Sequence, residues 1–368
     1  MPAVDGQVKG KVRRRWGGVN LATMTAATIA MPTLIRESVI LEEDRVRILD
    51  RRVFPFTKRF VDCRTVEDVA RAIEEMVTQS GGPFYAASAA MVLAARSAEA
   101  LGPGLRIETL AAAARRLIAT RPTNNMIAQV VGSLLDMARA EATSDEFAAT
   151  IERTVAGIWE RQRSASWRVG THCAELLGDD ESILTHCWAE SLIVETLAAT
   201  LRQGKRVKMI CTETRPYLQG ARLTAHCAAE MGIDTTVITD NMAAHAMDRG
   251  LVTVFITAAD RVAMSGHVIN KVGTLQIAVA AKHFAIPYFA MVHAPDRNAA
   301  TGADVPIEER DPEESLHCLG VRTASPLVRG WYPAFDVTPP ELVGKIVTGR
   351  GVFAPDRVLR HFSVPEPA

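Results

Sequence analysis

The chain has 368 residues, of which 48% are hydrophobic and 23% are charged. That length suits two domains, or one large domain with a smaller partner. Forty-two basic residues balance 42 acidic ones, so no net charge would attract nucleic acid or a membrane surface. Six scattered cysteines without a C-x-x-C pair predict reduced thiols in the cytoplasm. No uncharged apolar run reaches the ~18 residues that a membrane span requires.

The first 37 residues form a basic segment that differs from the rest of the chain. Lys9, Lys11 and the arginines at 13–15 precede a mildly apolar stretch rich in threonine, alanine and methionine. The order superficially resembles a signal peptide, but the stretch lacks a leucine-rich core. We interpret residues 1–37 as a flexible N-terminal extension, or as a segment preceding a true start at Met24 or Met31.

Residues 38–160 are expected to form a hairpin and helical domain. Short apolar bursts between charged turns at 38–62 predict a small antiparallel hairpin or meander. From Thr65 the apolar residues recur at helical spacing, and Thr65 and Asp68 are placed to cap the first helix. Further helical stretches are predicted at 84–101, 106–118, 125–140 and 144–163.

Residues 161–368 are expected to form a Rossmann-like catalytic domain. Short β-branched runs predict strands at 183–185, 207–211, 235–238, 252–257 and 288–292. Between them the pattern predicts helices at 190–202, 218–231, 241–248 and 272–284. This alternation indicates βαβ units in a doubly wound parallel sheet, and the fold class is therefore α/β.

Polar side chains follow the predicted strands, where ligands bind in open α/β sheets. They comprise one thiol, three carboxylates and two imidazoles: His186, Cys187, Glu213, Asp240, Asp260 and His293. The glycine-rich patterns that bind dinucleotides or nucleoside triphosphates are absent. The chemistry is therefore expected to come from side chains.

Within this group, Cys187 and Asp260 are the best candidates for catalytic residues. Cys187 precedes a predicted helix, whose dipole and unpaired N–H groups would favour the thiolate. Asp260 ends the most apolar strand, where burial would raise the carboxyl pKa and favour the protonated form. A thiolate base opposite a protonated carboxyl makes a general base and general acid pair. A strand-end aspartate that merely caps a turn is the simpler alternative.

Several longer segments are far more specific. They are I-L-T-H-C (183–187), E-T-R-P-Y-L-Q-G-A-R-L-T (213–224), D-N-M-A-A-H-A-M (240–247), A-D-R-V-A-M-S-G-H-V-I-N-K-V-G-T (259–274), I-E-E-R-D-P-E-E (307–314) and Y-P-A-F-D-V-T-P (332–339). In this order they resemble the methylthioribose-1-phosphate isomerases. Those enzymes belong to the larger family that also contains ribose-1,5-bisphosphate isomerase and the regulatory subunits of translation initiation factor 2B. The resemblance extends from about residue 38 to the end.

The resemblance implies roles for individual residues. Cys187 and Asp260 match the catalytic pair, and the matches to substrate contacts are Arg121, Gln219, Asn270, Lys271, Gly81 and Gly82. Asn270 and Lys271 could instead cap and solvate the following helix. We expect the histidines to be structural, because none has metal-ligand spacing.

Two departures affect the implied phosphate pocket. Where the isomerases carry R-G-A-P-A-I-G, residues 79–85 read Q-S-G-G-P-F-Y, so the arginine is missing. Where they carry H-C-N-A-G, Trp188 and Glu190 replace asparagine and glycine. Losing one charge-assisted contact to phosphate costs about 1.5–3 kcal/mol. Either another cation, such as Arg121 or Lys271, carries the phosphate alone and binds it weakly, or the preferred substrate differs from methylthioribose 1-phosphate.

The function implied is aldose–ketose isomerisation of an aldopentose 1-phosphate, either 5-methylthioribose 1-phosphate or an analogue such as 5-deoxyribose 1-phosphate. The ring opens first, and a proton or a hydride then passes from C2 to C1, without metal or organic cofactor. We expect a cytoplasmic homodimer whose partner is a small sugar phosphate, not nucleic acid or a membrane. The alternatives are a non-catalytic regulatory protein that binds a sugar phosphate or nucleotide, and a purely structural subunit.

Overall fold

A computed structural model describes residues 29–121 and 125–365, so most of the N-terminal extension lies outside the described residues. Its α-helices are α1 Thr33–Arg36, α2 Val66–Glu74, α3 Gly82–Ala98, α4 Pro103–Ala119, α5 Asn125–Ala140, α6 Phe147–Glu175, α7 Glu190–Arg202, α8 Ala225–Glu230, α9 Ala243–Asp248, α10 Thr274–His283 and α11 Glu313–Leu316. Its strands are β1 Val39–Leu41, β2 Val46–Leu49, β3 Phe60–Cys63, β4 Glu181–Thr185, β5 Val207–Thr212, β6 Asp234–Ile238, β7 Val254–Ala258, β8 Arg261–Val262, β9 Val268–Lys271, β10 Tyr288–Met291, β11 His317–Cys318, β12 Val321–Arg322, β13 Phe335–Thr338, β14 Lys345–Thr348 and β15 Gly351–Phe353.

The N-terminal part packs four helices, α2 to α5, and the first half of α6 beside the antiparallel sheet β1-β2-β3. Helix α2 begins with a capping box, in which the Thr65 and Asp68 side chains bond each other's backbone N–H, as the sequence predicted. Helix α3 is alanine-rich and buried on nearly every face, because α2, α4, α5 and α6 all pack against it. Its first turn is therefore held inside the protein.

The C-terminal part contains a seven-stranded sheet in the order β15-β14-β10-β7-β4-β5-β6. Every neighbouring pair is parallel except β14 and β15. Strands β4 and β7 are neighbours in the sheet although 68 residues lie between the end of β4 at 185 and the start of β7 at 254. The order of the strands reverses direction at this pair. Such a reversal opens a crevice beyond the carboxyl ends of the two strands.

The five strands and four helices predicted for this part are confirmed, with shifts of one or two residues at most ends. Strands β14 and β15, and a small sheet of β8, β9 and β13, were not predicted. Helix α6 runs from 147 to 175, so the boundary expected at 160 falls inside a helix. Residues 33–36 are helical and Leu34 is fully buried, so the end of the expected flexible extension packs on the protein.

In the described part of the chain, no helix has both the length and the apolar character needed to cross a bilayer.

Candidate active site

Cys187 lies at the carboxyl end of β4, in a loop that the next strand holds in place. Its φ is +73°, a left-handed conformation that is uncommon for a residue with a side chain. Its N–H donates to Thr214 Oγ1 at 2.9 Å, and its carbonyl accepts from Thr224 Oγ1 at 2.6 Å. Gln219 Nε2 lies 3.2 Å from the Cys187 Sγ. The thiol is thus fixed by residues that follow β5.

Asp260 lies at the carboxyl end of β7, the strand adjacent to β4. Solvent reaches this residue, yet it lies deep enough among protein atoms that desolvation raises its pKa to about 6. The cations of Lys271 and Arg310 oppose that rise. The expectation of a raised Asp260 pKa is confirmed, and Asp260 also acts electrostatically on Cys187.

The protonation of Cys187 differs from the expectation. Burial raises the pKa of its thiol and outweighs the opposing effects of Lys271, the Trp188 N–H and Gln219. The nearby carboxyl of Asp260 raises it further. The prediction that the start of the following helix favours the thiolate is therefore wrong, and the resting protein holds Cys187 as a thiol.

Lys271 brings a buried positive charge to this pair. It is 5% exposed at the end of β9, and its Nζ donates to the Tyr332 hydroxyl at 3.2 Å. The rings of Tyr332 and Phe335 lie 5.3 and 5.2 Å from Nζ. No ion pair of Lys271 occurs within the described residues. A buried ammonium that forms no ion pair is suited to an anionic ligand.

Asn270, next to Lys271, has a structural partner. Its Nδ2 donates to Thr274 Oγ1 at 3.0 Å, at the first residue of α10. This bond joins two side chains and does not cap the backbone of α10, whose Gly273 and Leu275 N–H groups donate to Asp336 instead. Lys271 acts electrostatically on both Cys187 and Asp260.

Arg121 is linked to the site indirectly, because it interacts electrostatically with Arg310, which in turn interacts with Asp260. Its guanidinium donates to the Ile73 carbonyl at 3.2 Å and contacts the Met76 Sδ. Burial lowers its pKa, and Arg310 lowers it further. Arg310 in turn acts on Asp260 and forms a 3.1 Å ion pair with Glu308. Arg310 was missed as a site residue, although it lies in the quoted segment I-E-E-R-D-P-E-E.

Gly81 and Gly82 are joined to the Cys187 loop by Glu190. The Gly81 N–H donates to Glu190 Oε2 at 2.6 Å, and Glu190 Oε1 accepts from Arg51 Nη2 at 2.7 Å. Arg51 is fully buried and Glu190 is 8% exposed. Arg51 and Glu190 were both missed as neighbours of the two glycines, because Glu190 lies 109 positions from Gly81 and 139 from Arg51 in the chain.

The histidines near the strand ends are held by protein groups. His186 lies between Thr212 Oγ1 at 2.6 Å and the Val272 carbonyl at 2.9 Å, and burial lowers its pKa. His293 contacts Ser166 at 3.0 Å, and burial lowers its pKa to about 4. These contacts fit the structural roles expected of both residues.

Comparisons with known proteins identify the family of this chain. Residues 80–355 match the model of the initiation factor 2 subunit family. The chain belongs to that family. Among its relatives, the methylthioribose-1-phosphate isomerase of Thermosipho melanesiensis is 38% identical over 325 residues, covering 85% of this chain and 93% of the relative. The enzyme of the same name from Chloroflexus aurantiacus is 40% identical over 331 residues, covering 85% and 94%.

Solved structures of the family have the same fold. The 5-methylthioribose 1-phosphate isomerase of Pyrococcus horikoshii superposes with a TM-score of 0.82 at 32% identity, covering 89% of this chain and 94% of that one. The delta subunit of translation initiation factor eIF-2B from A. fulgidus gives 0.77 at 32% identity, covering 89% and 99%. Both an isomerase and a subunit of a translation initiation factor therefore share this architecture, so the fold alone does not decide the function and the site must.

Proposed function

We propose that this member of the initiation factor 2 subunit family is an aldose–ketose isomerase that converts an aldopentose 1-phosphate to the ketose 1-phosphate. The juxtaposition of Cys187, Asp260 and Lys271 at the reversal of the sheet carries this proposal. A thiol, a carboxyl with a pKa near 6 and a buried cation are the groups such a reaction needs. A purely regulatory protein has no need of a strand-end acid with a perturbed pKa.

The phosphate is proposed to bind Lys271 and Arg310, with Arg121 behind them. Lys271 and Arg310 both lower the pKa of Asp260. A phosphate dianion on them would offset their effect, so substrate binding would raise the pKa of Asp260 above its resting value of about 6. The bound complex would thereby hold Asp260 protonated, ready to act as an acid.

The first chemical step is ring opening, because C1 of an aldose 1-phosphate is tied to phosphate and presents no free aldehyde. Asp260 gives its proton to the ring oxygen as the bond between that oxygen and C1 breaks. The electron-poor C1 is stabilised by the oxygen that links it to phosphorus. The apolar surroundings that raise the pKa of Asp260 also limit hydrolysis of the ester.

Two routes complete the reaction. In one, the Cys187 thiolate removes the C2 proton to give an enol phosphate; the thiol then returns a proton to C1 while the Asp260 carboxylate takes the proton of the 2-hydroxyl as the ketone forms. In the other, a hydride passes from C2 to C1 while the Asp260 carboxylate takes the proton of the 2-hydroxyl, which restores the acid. We favour the hydride route with Cys187 assisting, because burial keeps this group a thiol. Because burial raises the pKa of the Cys187 thiol, few molecules near neutral pH hold the thiolate that the proton route requires.

Turnover of a panel of pentose 1-phosphates, followed by phosphorus and proton NMR, tests the proposal. The expected result is a ketose 1-phosphate from at least one member, lost in Asp260→Asn. Binding of the same compounds without turnover would favour the regulatory alternative.

A further inference from the structure

Tyr332 contacts both of the cations that are proposed to carry the phosphate. Its hydroxyl oxygen accepts a hydrogen bond from Lys271 Nζ at 3.2 Å, and its ring lies 5.3 Å from the same atom. Its carbonyl accepts a hydrogen bond from the Arg310 N–H at 2.9 Å. One residue therefore joins Lys271, at the end of β9, to Arg310, which lies in a separate loop.

The backbone that follows Tyr332 fixes where its phenol lies. Tyr332 is 3% exposed and precedes Phe335, the first residue of β13. Phe335 is paired with Lys271 in the antiparallel ladder of β13 and β9. Between them in the chain, the Ala334 N–H donates to the Glu308 carbonyl at 2.8 Å. The segment is thus held between β9 and the loop that contains Glu308.

The Tyr332 hydroxyl has a donor left over. The ammonium of Lys271 has only protons to give, so the phenol oxygen is the acceptor in this contact and its own proton stays available. Within residues 29–121 and 125–365, no acceptor for that proton occurs. Buried donors are nearly always hydrogen-bonded, so we expect an acceptor from outside the chain.

An oxyanion is the acceptor that best suits this hydroxyl. Accepting from an ammonium polarises the O–H bond, which makes the phenol a better donor. Lys271 is buried and forms no ion pair in the described part of the chain, so an anion is favoured here over a neutral acceptor. A phosphate has three oxygens in a tetrahedral arrangement, so it can accept from the hydroxyl and the ammonium at the same time.

We propose that Tyr332 is a further substrate-binding residue, whose hydroxyl donates a hydrogen bond to the phosphate of the bound sugar beside Lys271. This inference rests on the proposed function and adds a neutral donor to its two cations. The chain lacks the arginine that the isomerases carry in the segment matching 79–85. A phenol next to an ammonium offsets part of that loss without adding charge.

Binding of inorganic phosphate to the full-length protein, measured by isothermal titration calorimetry, tests the contact without turnover. Tyr332→Phe keeps the ring beside Lys271 and removes only the hydroxyl, so its Kd for phosphate should rise at least about tenfold. Tyr288→Phe is the matched control, because the Tyr288 hydroxyl is buried in the sheet and paired with Thr257 at 2.8 Å. Its affinity for phosphate should equal that of the wild type. Equal affinity in a folded Tyr332→Phe would overturn the proposal.

A fluorinated tyrosine at position 332 separates direct contact with phosphate from positioning of Lys271. Fluorine on the ring makes the phenol a stronger donor and a weaker acceptor, and the titrations use a pH at which the fluorinated phenol stays protonated. If the hydroxyl donates to phosphate, the affinity of this variant should match or exceed that of the wild type. If the hydroxyl served only to hold the ammonium, the affinity should fall, which would refute the direct contact. The change in volume is small, so this variant also serves where Tyr332→Phe does not fold.

Turnover separates this inference from the proposed function. A phosphate contact is made equally in the ground state and the transition state, so Tyr332→Phe should raise KM for the pentose 1-phosphate about tenfold and change kcat by less than about threefold. A fall in kcat at unchanged KM would place the hydroxyl at a reacting oxygen and contradict the phosphate contact. If no pentose 1-phosphate is turned over, the proposed function fails, while the phosphate titrations still decide the contact of Tyr332. A wild type that binds neither phosphate nor a pentose 1-phosphate would overturn this inference as well.

Discussion

Asp260→Asn should make the protein more stable while it removes activity. The unfolded chain releases this proton near pH 3.9, whereas the folded protein holds it until about pH 6. Ionisation therefore opposes folding progressively between about pH 4 and 6, and the penalty persists at higher pH. A difference of about 2 units corresponds to roughly 3 kcal/mol, which we reduce to about 1–2 kcal/mol because solvent reaches the residue.

Urea unfolding at two pH values measures this gain. Asp260→Asn should exceed the wild type by about 1–2 kcal/mol at pH 7 and show almost no gain at pH 3.5, where the folded state is protonated and the unfolded state largely so. Asp304→Asn is the matched control, because hydrogen bonds from the Thr301 backbone and hydroxyl lower the pKa of Asp304. That variant should not gain stability at pH 7. An Asp260→Asn protein no more stable than wild type at pH 7, or equally stabilised at both values, would refute the reasoning.

The same variant tests the catalytic role of Asp260. Asparagine keeps the shape but cannot deliver a proton, so kcat should fall at least about 10²-fold while the ligand still binds. Calorimetry that showed lost binding, with turnover unimpaired once substrate is bound, would make Asp260 a positioning residue instead.

Three further predictions concern the thiol, the route and the assembly. Cys187→Ser should lower kcat at least about 10²-fold with the fold intact, and normal turnover would exclude the roles proposed for this side chain. In deuterium oxide the hydride route should leave C1 of the product almost free of solvent deuterium by NMR, whereas one deuterium per turnover would establish proton transfer. The chain should sediment as a two-fold dimer at micromolar concentration, since Leu327 and Trp331 are 92% and 74% exposed and C2 pairs are the commonest soluble oligomers. A monomer in that experiment would contradict it.

The sequence was sufficient for the five strands β4, β5, β6, β7 and β10 of the seven-stranded sheet, and for the meeting of Cys187 with Asp260. Both predictions depend on local information, namely short β-branched runs and the rule that parallel strands present their carboxyl ends at one edge. Strand β14 was missed because residues 345–348 follow a proline-rich loop rather than a helix, so no βαβ alternation marks them.

The remaining features of the site depend on contacts between distant segments. The raised pKa of the Cys187 thiol follows from burial, which a local pattern of helix and strand does not determine. Lys271 meets Tyr332 from 61 residues away, and Arg51 meets Glu190 from 139. Arg310 lies in a loop without periodicity, so the only sequence signal for a role in the site was its position in the segment I-E-E-R-D-P-E-E, which resembles the isomerases.

Helix α6 bears on how substrate could enter. Its first half supplies Phe147 and Ile151 to the N-terminal core, and its second half supplies Val169 and Cys173 to the core beneath the sheet. At 1.5 Å per residue, its 29 residues make an unbroken rod of roughly 40 Å between the two halves of the molecule. A hinge at that junction would have to break backbone hydrogen bonds in mid-helix. The two halves should therefore behave as one rigid frame, and access to Cys187 is governed by movement of surface loops rather than by a clamshell motion.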